Sequence, residues 1–204
     1  MNQLSIQNSA QSEAQVIASS GVFQIALLKH AGESDYPQLI EISKSLGKEY
    51  GEKAVLTKGT IHKYFNKSGS LPFIAKHKDK IIGYIIGIPI EVLSHEPWAR
   101  MDENFGKGNT LYTYAFVIQS EYKGNGYAKM LKRVFLSWAG KRENIHYVTG
   151  HVVNGVSVRF TGDIRIVNRV ENWQGTGKSF EYYRRDLYTE KSPLKNNPPL
   201  ITRT

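Results

Sequence analysis

The stretch from residue 111 to residue 140 constrains the fold more than any other. An apolar run, a polar turn carrying two glycines and an amphipathic helical pattern follow one another without interruption. Residues 111–118 are rich in Tyr, Val, Ile, Phe and Thr, and the run is long enough for one buried strand and short for a helix. Gly124 and Gly126 follow. Tyr127, Met130, Leu131, Val134, Phe135 and Trp138 then recur at helical spacing, and Gly140 is placed to stop the helix. The first N–H groups of a helix have no partner within it and lie at the positive end of its macrodipole. Glycines before them let backbone approach a ligand closely. With Lys123, Lys129, Lys132 and Arg133 around the turn, the arrangement predicts an anion cradle for a pyrophosphate, built from the N–H groups of residues 124–129.

Three phosphate-binding patterns compete for this turn. The dinucleotide fingerprint needs a third small residue where Lys129 stands, and the P-loop needs Lys-Ser or Lys-Thr where Tyr127 and Ala128 stand. The third pattern fits. Lys123-Gly124-Asn125-Gly126-Tyr127-Ala128 resembles the R/Q-x-x-G-x-G/A motif of the GNAT superfamily of acyl-CoA-dependent N-acyltransferases, with Lys in place of Arg or Gln. The resemblance extends to a strand pair around His77-Lys78-Asp79-Lys80, to a strand at 145–151, and to Asn154, read as the N-cap of a short helix. Residues 22–188 can be laid onto the family's element order, and residues 71–160 carry the specific part of the match.

The resemblance implies an α/β (α+β) fold, with a mixed, mostly antiparallel sheet of about seven strands flanked by helices in a single domain. It implies acetyl-CoA or a related acyl-CoA as co-substrate and direct attack by a primary amine, on a small molecule or a protein. Val117, Ile118, Lys123, Gly124, Asn125, Gly126, Tyr127, Ala128, Lys129 and Asn154 are the implied cofactor-binding residues, with a backbone N–H near Ile118 polarising the thioester. The family often has a carboxylate base in the strand at 111–118. This chain has none there, and the equivalent position is Tyr112 or Thr110. Upstream, Glu91, Glu96, Asp102 and Glu103 are available, with Glu91 preferred, so Glu91 and Tyr112 are the predicted catalytic positions. The family's tyrosine acid is replaced by Thr161, which leaves Ser157, Tyr147, Tyr182 or Tyr183 as substitutes. His151 is a further possible base.

Gly175-Thr176-Gly177-Lys178-Ser179 imitates the end of a P-loop, but Asn172 stands where the first glycine is required, and residues 174–178 read as a hairpin turn between strands. The histidines have no metal-ligand spacing, so no metal is expected. Residues 94–108 form a long connection with Trp98, Met101 and Phe105, either a short helix over the acceptor cleft or a simple excursion. Residues 1–20 read as a mobile extension, 21–188 as the acyltransferase domain and 189–204 as a loose tail. The absence of cysteine and of a basic, apolar leader suits a cytoplasmic protein. No membrane partner and no specific nucleic acid is expected, and a homodimer is a possible assembly. The net charge of +9 suits a polyanionic cofactor. Two other readings stay open: a non-catalytic acyl-CoA-binding or sensing module, and a basic RNA- or ribosome-associated protein.

Overall fold

The most apolar segment, Lys80–Pro89, becomes the centre of a sheet whose both faces are covered. The computed structural model describes residues 10–188. The first nine residues of the expected extension and the whole expected tail, 189–204, lie outside the described residues. The strands are β1 (Glu13–Ser20), β2 (Phe23–His30), β3 (Leu71–His77), β4 (Lys80–Pro89), β5 (Thr110–Ile118), β6 (Tyr147–Val153), β7 (Ile164–Val170) and β8 (Phe180–Asp186). The helices are α1 (Tyr36–Tyr50), α2 (Lys58–Phe65), the single-turn α3 (Pro97–Arg100) and α4 (Tyr127–Ala139). They accompany one eight-stranded sheet in the order β1-β2-β3-β4-β5-β6-β8-β7. Every pairing is antiparallel except β5 with β6.

Two expectations are corrected. Glu13–Ser20 is not part of an extension: it pairs with β2 as an edge strand of the eight-stranded sheet. Its side chains are mostly exposed, so it carries little of the hydrophobic signal by which strands are read. The second correction concerns Asn154. It caps no helix, because the expected helix is a single 3-10 turn, Ser157–Arg159, preceded by Gly155 in the left-handed region. The Asn154 N–H is held instead by the Ser179 carbonyl at 3.0 Å. The turn's N–H groups at Gly155 and Ser157, together with the Ser157 hydroxyl, bond the Glu181 carboxylate.

Two hydrophobic layers flank the sheet. Leu39, Ile42, Leu46, Ile61 and Phe65 from α1 and α2 pack with Ile74, Tyr84 and Ile86 on one face. Leu131, Phe135 and Ala139 from α4 pack with Ile25, Phe73 and Ile85 on the other. The β3–β4 hairpin turns through Lys78 and Asp79, both with positive φ, as the right-handed twist of a two-residue hairpin requires.

The connection from β4 to β5 is pinned over the sheet. Asp102 is buried and accepts from Arg184 Nη2 at 2.8 Å, from the Tyr182 hydroxyl at 2.6 Å and from the Asn104 N–H at 2.8 Å. Glu103 bonds both Arg184 and Arg165. Arg184 is itself buried, so its charge is tolerable only while these acceptors are present. Asp102→Ala is expected to destabilise the protein by about 3–5 kcal/mol, the range for removing one partner of a buried pair. Urea denaturation monitored by far-UV circular dichroism measures this directly.

Candidate functional site

The site begins where β5 leaves β6. The two strands pair only through Thr110 with Tyr147, Leu111 with Val148 and Tyr112 with Thr149. Immediately beyond, β5 bulges: Ile86 pairs with Ala115 and Gly87 with Thr113, so Tyr114 is an extra residue on that strand. A bulge bends its strand and increases local twist, and β5 and β6 make no further pairs. The Gln119 N–H donates to the Ile82 carbonyl at 2.9 Å. Successive N–H groups in an antiparallel ladder point to alternate sides. The Ile118 N–H therefore faces away from β4, to the side where β6 has diverged.

A cavity of about 400 Å³ occupies this gap. Its walls include Leu46 and Tyr64 from the α1–α2 face and Phe135 and Leu136 from the α4 face, so it runs through the sheet. Gly150 of β6 makes room for a phenol inside the gap. A Cβ on Gly150 would stand 3.2 Å from the Tyr183 hydroxyl and 3.4 Å from Thr113 Cβ. The Tyr183 side chain thus reaches from β8 past β6 to β5, where its hydroxyl meets the Thr113 side chain. Burial raises its pKa, partly offset by that hydrogen bond, so the phenol stays protonated at neutral pH.

The glycine turn connects β5 to α4, two elements that wall the gap. Gly124 and Gly126 have φ of 86° and 76°, values that L side chains rarely adopt. Gly126 is the residue before the first turn of α4, and its carbonyl takes the first helical bond, from the Met130 N–H at 3.0 Å. The N–H groups of Tyr127, Ala128 and Lys129 therefore have no partner within the helix. The Asn125 side chain donates to the carbonyls of Tyr122 and Lys123 and braces the turn. The Tyr127 ring stacks on Phe23 with centroids 4.0 Å apart, so the residue is anchored by its side chain while its backbone stays available. Lys123, Ala128 and Lys129 are exposed, and the cradle is open to solvent.

The predicted catalytic residues are parted by the structure. Glu91 is not among the cavity-lining residues. Its Oε1 accepts the N–H groups of Gly106 (3.1 Å) and Gly108 (3.0 Å), closing the loop before β5. Tyr112 does line the cavity, with its hydroxyl 3.0 Å from His151 Nδ1. Burial raises the Tyr112 pKa well above 10, so this phenol is a donor and not a base near neutrality. His151 is stacked on Trp173 with centroids 3.9 Å apart, and its Nε2 has no protein partner. Burial pushes its pKa down to about 3. Thr161 is exposed and Tyr147 lies outside the cavity wall. Among the described residues, Glu96 is the carboxylate that the cavity wall does contain, and α3 sets it beside Trp98. The sequence named Glu96 among several acids without separating it from the rest. On the α4 side, Lys132 lies with Nζ 3.4 Å from the Phe160 ring centroid. Burial, with a smaller contribution from Arg185, lowers its pKa to about 8. Among the described residues no cluster of His, Cys, Asp and Glu could hold a metal ion, and no helix is long and apolar enough to cross a membrane.

The model of the acetyltransferase (GNAT) family matches residues 37–161 of the chain. No curated protein matches it. Among solved structures, ribosomal-protein-alanine N-acetyltransferase from Brucella melitensis is 16% identical, with 79% of this chain and 98% of that one covered at a TM-score of 0.58. Spermidine N-acetyltransferase from Vibrio cholerae, in complex with CoA and spermine, is 12% identical, with 85% and 100% covered at 0.61. The GphF GNAT-like decarboxylase in complex with isobutyryl-CoA is 12% identical, with 80% and 98% covered at 0.59. At such identities the likeness establishes the fold.

The depressed His151 pKa has a consequence for stability. The unfolded chain takes up a proton there as pH falls through about 6.5, whereas the folded protein resists until about 3. Between those values the unfolded state holds more protons, so this contribution is complete above pH 6.5 and is lost on acidification, at up to about 1.4 kcal/mol per pH unit. The melting temperature of His151→Gln, followed from pH 7 to pH 4, is expected to fall less steeply than that of the parent protein.

Proposed function

The chain belongs to the GNAT acetyltransferase family, and from its own geometry we propose that it transfers a short acyl group, acetyl in the simplest case, from coenzyme A to a primary amine by direct attack. The observation that carries this reading is the open N–H cradle at the start of α4, the helix whose Lys132, Phe135 and Leu136 wall the cavity that passes through the sheet. In this reading the pyrophosphate rests on the backbone of Gly124 to Lys129, with Lys123 and Lys129 supplying charge. The pantetheine arm enters the β5–β6 gap and takes the place of the missing strand partner. Val117 and Ile118 flank it, and the Ile118 N–H is a donor on that side of the strand. Asn154 lies just beyond β6 at the rim. Lys132, largely protonated at pH 7, adds positive charge along the donor channel.

The chemistry needs little more than positioning and two proton transfers. The amine arrives as an ammonium ion and loses one proton to solvent. Its nitrogen lone pair attacks the thioester carbonyl carbon, forming the C–N bond. Collapse of the tetrahedral species breaks the C–S bond. The second amine proton leaves through water to Glu96, and the departing thiolate takes the Tyr183 phenolic proton, which solvent later restores. Tyr112 and His151 act as a neutral polar floor. This assigns the acid to a β8 tyrosine and the proton acceptor to the loop before β5.

The primary test is release of free CoA thiol from acetyl-CoA in the presence of a panel of amines, with the acetylated product identified by mass spectrometry. Acetyl-CoA binding with no thiol release from any amine would instead favour the sensing module. Two variants probe separate parts. Ala128→Glu places a carboxylate in the first turn of α4, where the helix dipole favours it by up to about 1 kcal/mol. Folding is therefore expected to be retained, while acetyl-CoA affinity measured by calorimetry drops at least a hundredfold. Tyr183→Phe keeps the ring and removes the proton. It is expected to lower kcat tenfold or more, with acetyl-CoA affinity changed less than threefold.

A further inference from the structure

On the α1–α2 side, the cavity wall is a box of aromatic rings contributed by separate elements. Tyr64 and Tyr114 are in tilted contact, with centroids 4.3 Å apart and 43° between their planes. Trp98 meets Tyr112 at 4.8 Å and Trp173 at 6.1 Å, and Tyr50 joins from the end of α1. All of these rings line the cavity. Their edges and faces suit a flat apolar body and stabilise a cation held over a ring face. The charges in the wall are few: among the described residues Glu96 is its one carboxylate, with His95 Nε2 3.7 Å away, and Lys53 and Lys132 are its lysines. A polyamine with several positive nitrogens would meet one acid and two lysines, and a polyhydroxylated amine would leave its hydroxyls facing rings without partners.

We propose that the acceptor is a monocationic primary amine on a short aliphatic arm carrying an aromatic ring, with the ring held among Tyr64, Trp98, Tyr114 and Trp173 and the amine directed to Glu96. This rests on the acyl-transfer reading for the position of the reacting carbonyl, while the binding preference follows from the wall itself. The arm matters because the rings lie on the α1–α2 side of the sheet while the thioester, in the acyl-transfer reading, lies in the β5–β6 gap itself. The amine must lead into the gap while the ring stays behind.

The test uses the full chain loaded with CoA, titrated by calorimetry with tryptamine, phenethylamine, spermidine and glucosamine. Thiol release from acetyl-CoA is measured with the same four amines. The expected result is that tryptamine or phenethylamine binds at least tenfold more tightly than spermidine and glucosamine, with kcat/KM in the same order. Trp98→Ala is expected to raise the aromatic-amine Kd at least tenfold with acetyl-CoA affinity unchanged. Glu96→Gln, a milder change that preserves the fold, is expected to weaken amine binding and lower kcat together. Aromatic amines that bind without thiol release would support the acceptor pocket and sink the transfer reading. Efficient acetylation of spermidine or glucosamine, with aromatic amines bound no better, would leave the transfer reading standing and overturn this one. Failure of aromatic amines to bind at millimolar concentration also overturns it, whatever the thiol assay shows.

Discussion

The separation of β5 from β6 is the constraint on which the remaining features depend. Three residue pairs join the strands, the Tyr114 bulge turns β5 away, and the backbone beyond is left without a strand neighbour. Buried or half-buried amides without partners are costly. The fold tolerates them here because the gap is a cavity that a hydrogen-bonding guest can enter. A pantetheine arm has amides at intervals and an extended shape, so it suits such a slot better than a compact ligand does. The residues nearest the opening are small or slender: Thr113 and Ala115 on β5, Gly150 on β6. Gly150 also lets the Tyr183 ring cross between the strands. A larger residue at 150 would close the slot and displace the phenol together.

The second requirement is that a long connection hold still over that opening. The segment between β4 and β5 contains a 3-10 turn at Ile90–Leu93 and one short α-helix, and it buries Ile90, Leu93 and Ala99 in the core with Trp98 and Phe105 packed beside them. Its position is set by Asp102 and Glu103 on Arg184, by Tyr182 on Asp102, and by Glu91 on the N–H groups of Gly106 and Gly108. Buried charges of this kind bring little net stability compared with an apolar core of equal volume. Their directional bonds do define one position for the segment, and that position sets Glu96 and Trp98 in the cavity wall. The network is thus better understood as alignment than as adhesion.

The strand, turn and helix from 110 to 139 were legible in the sequence because their signals are local: β-branched and aromatic alternation, two glycines needing positive φ, and apolar residues at helical spacing. The β3–β4 hairpin was legible for the same reason. The edge strand at 13–20 was not, since its short apolar centre is flanked by polar residues and its pairing with β2 supplies the order. The single turn after β6 in place of a helix was hidden too: Glu181, more than twenty residues further on, satisfies the N–H groups that a capped helix would otherwise use. Glu91 was the preferred base in the sequence because it follows an apolar run; in the structure it lies in the 3-10 turn Ile90–Leu93 just after β4. Its carboxylate faces two amides fifteen and seventeen residues along the chain, and no periodicity reports such a contact. Glu96 and Tyr183 gain their positions from the packed connection and from Gly150, which are also non-local facts.

Burial sorts the ionisable groups of the cavity into distinct duties. Tyr112 and Tyr183 are both desolvated phenols, so both hold their protons at neutral pH. They differ in what surrounds the hydroxyl. Tyr112 is engaged by a histidine that burial keeps neutral, a pair with no charge to exchange. Tyr183 sits in the strand gap against a threonine hydroxyl, a contact that can be given up and remade. Lys132 remains mostly charged at pH 7 but lies within about one unit of neutralisation, so its charge over the channel fades as pH rises past 8. Among the described residues Glu96 is the only carboxylate in the wall, and it is half-buried, so water can carry a proton away. In the acyl transfer proposed above, a desolvated phenol inside the gap would meet the departing thiolate, and a hydrated carboxylate would receive the proton of the amine.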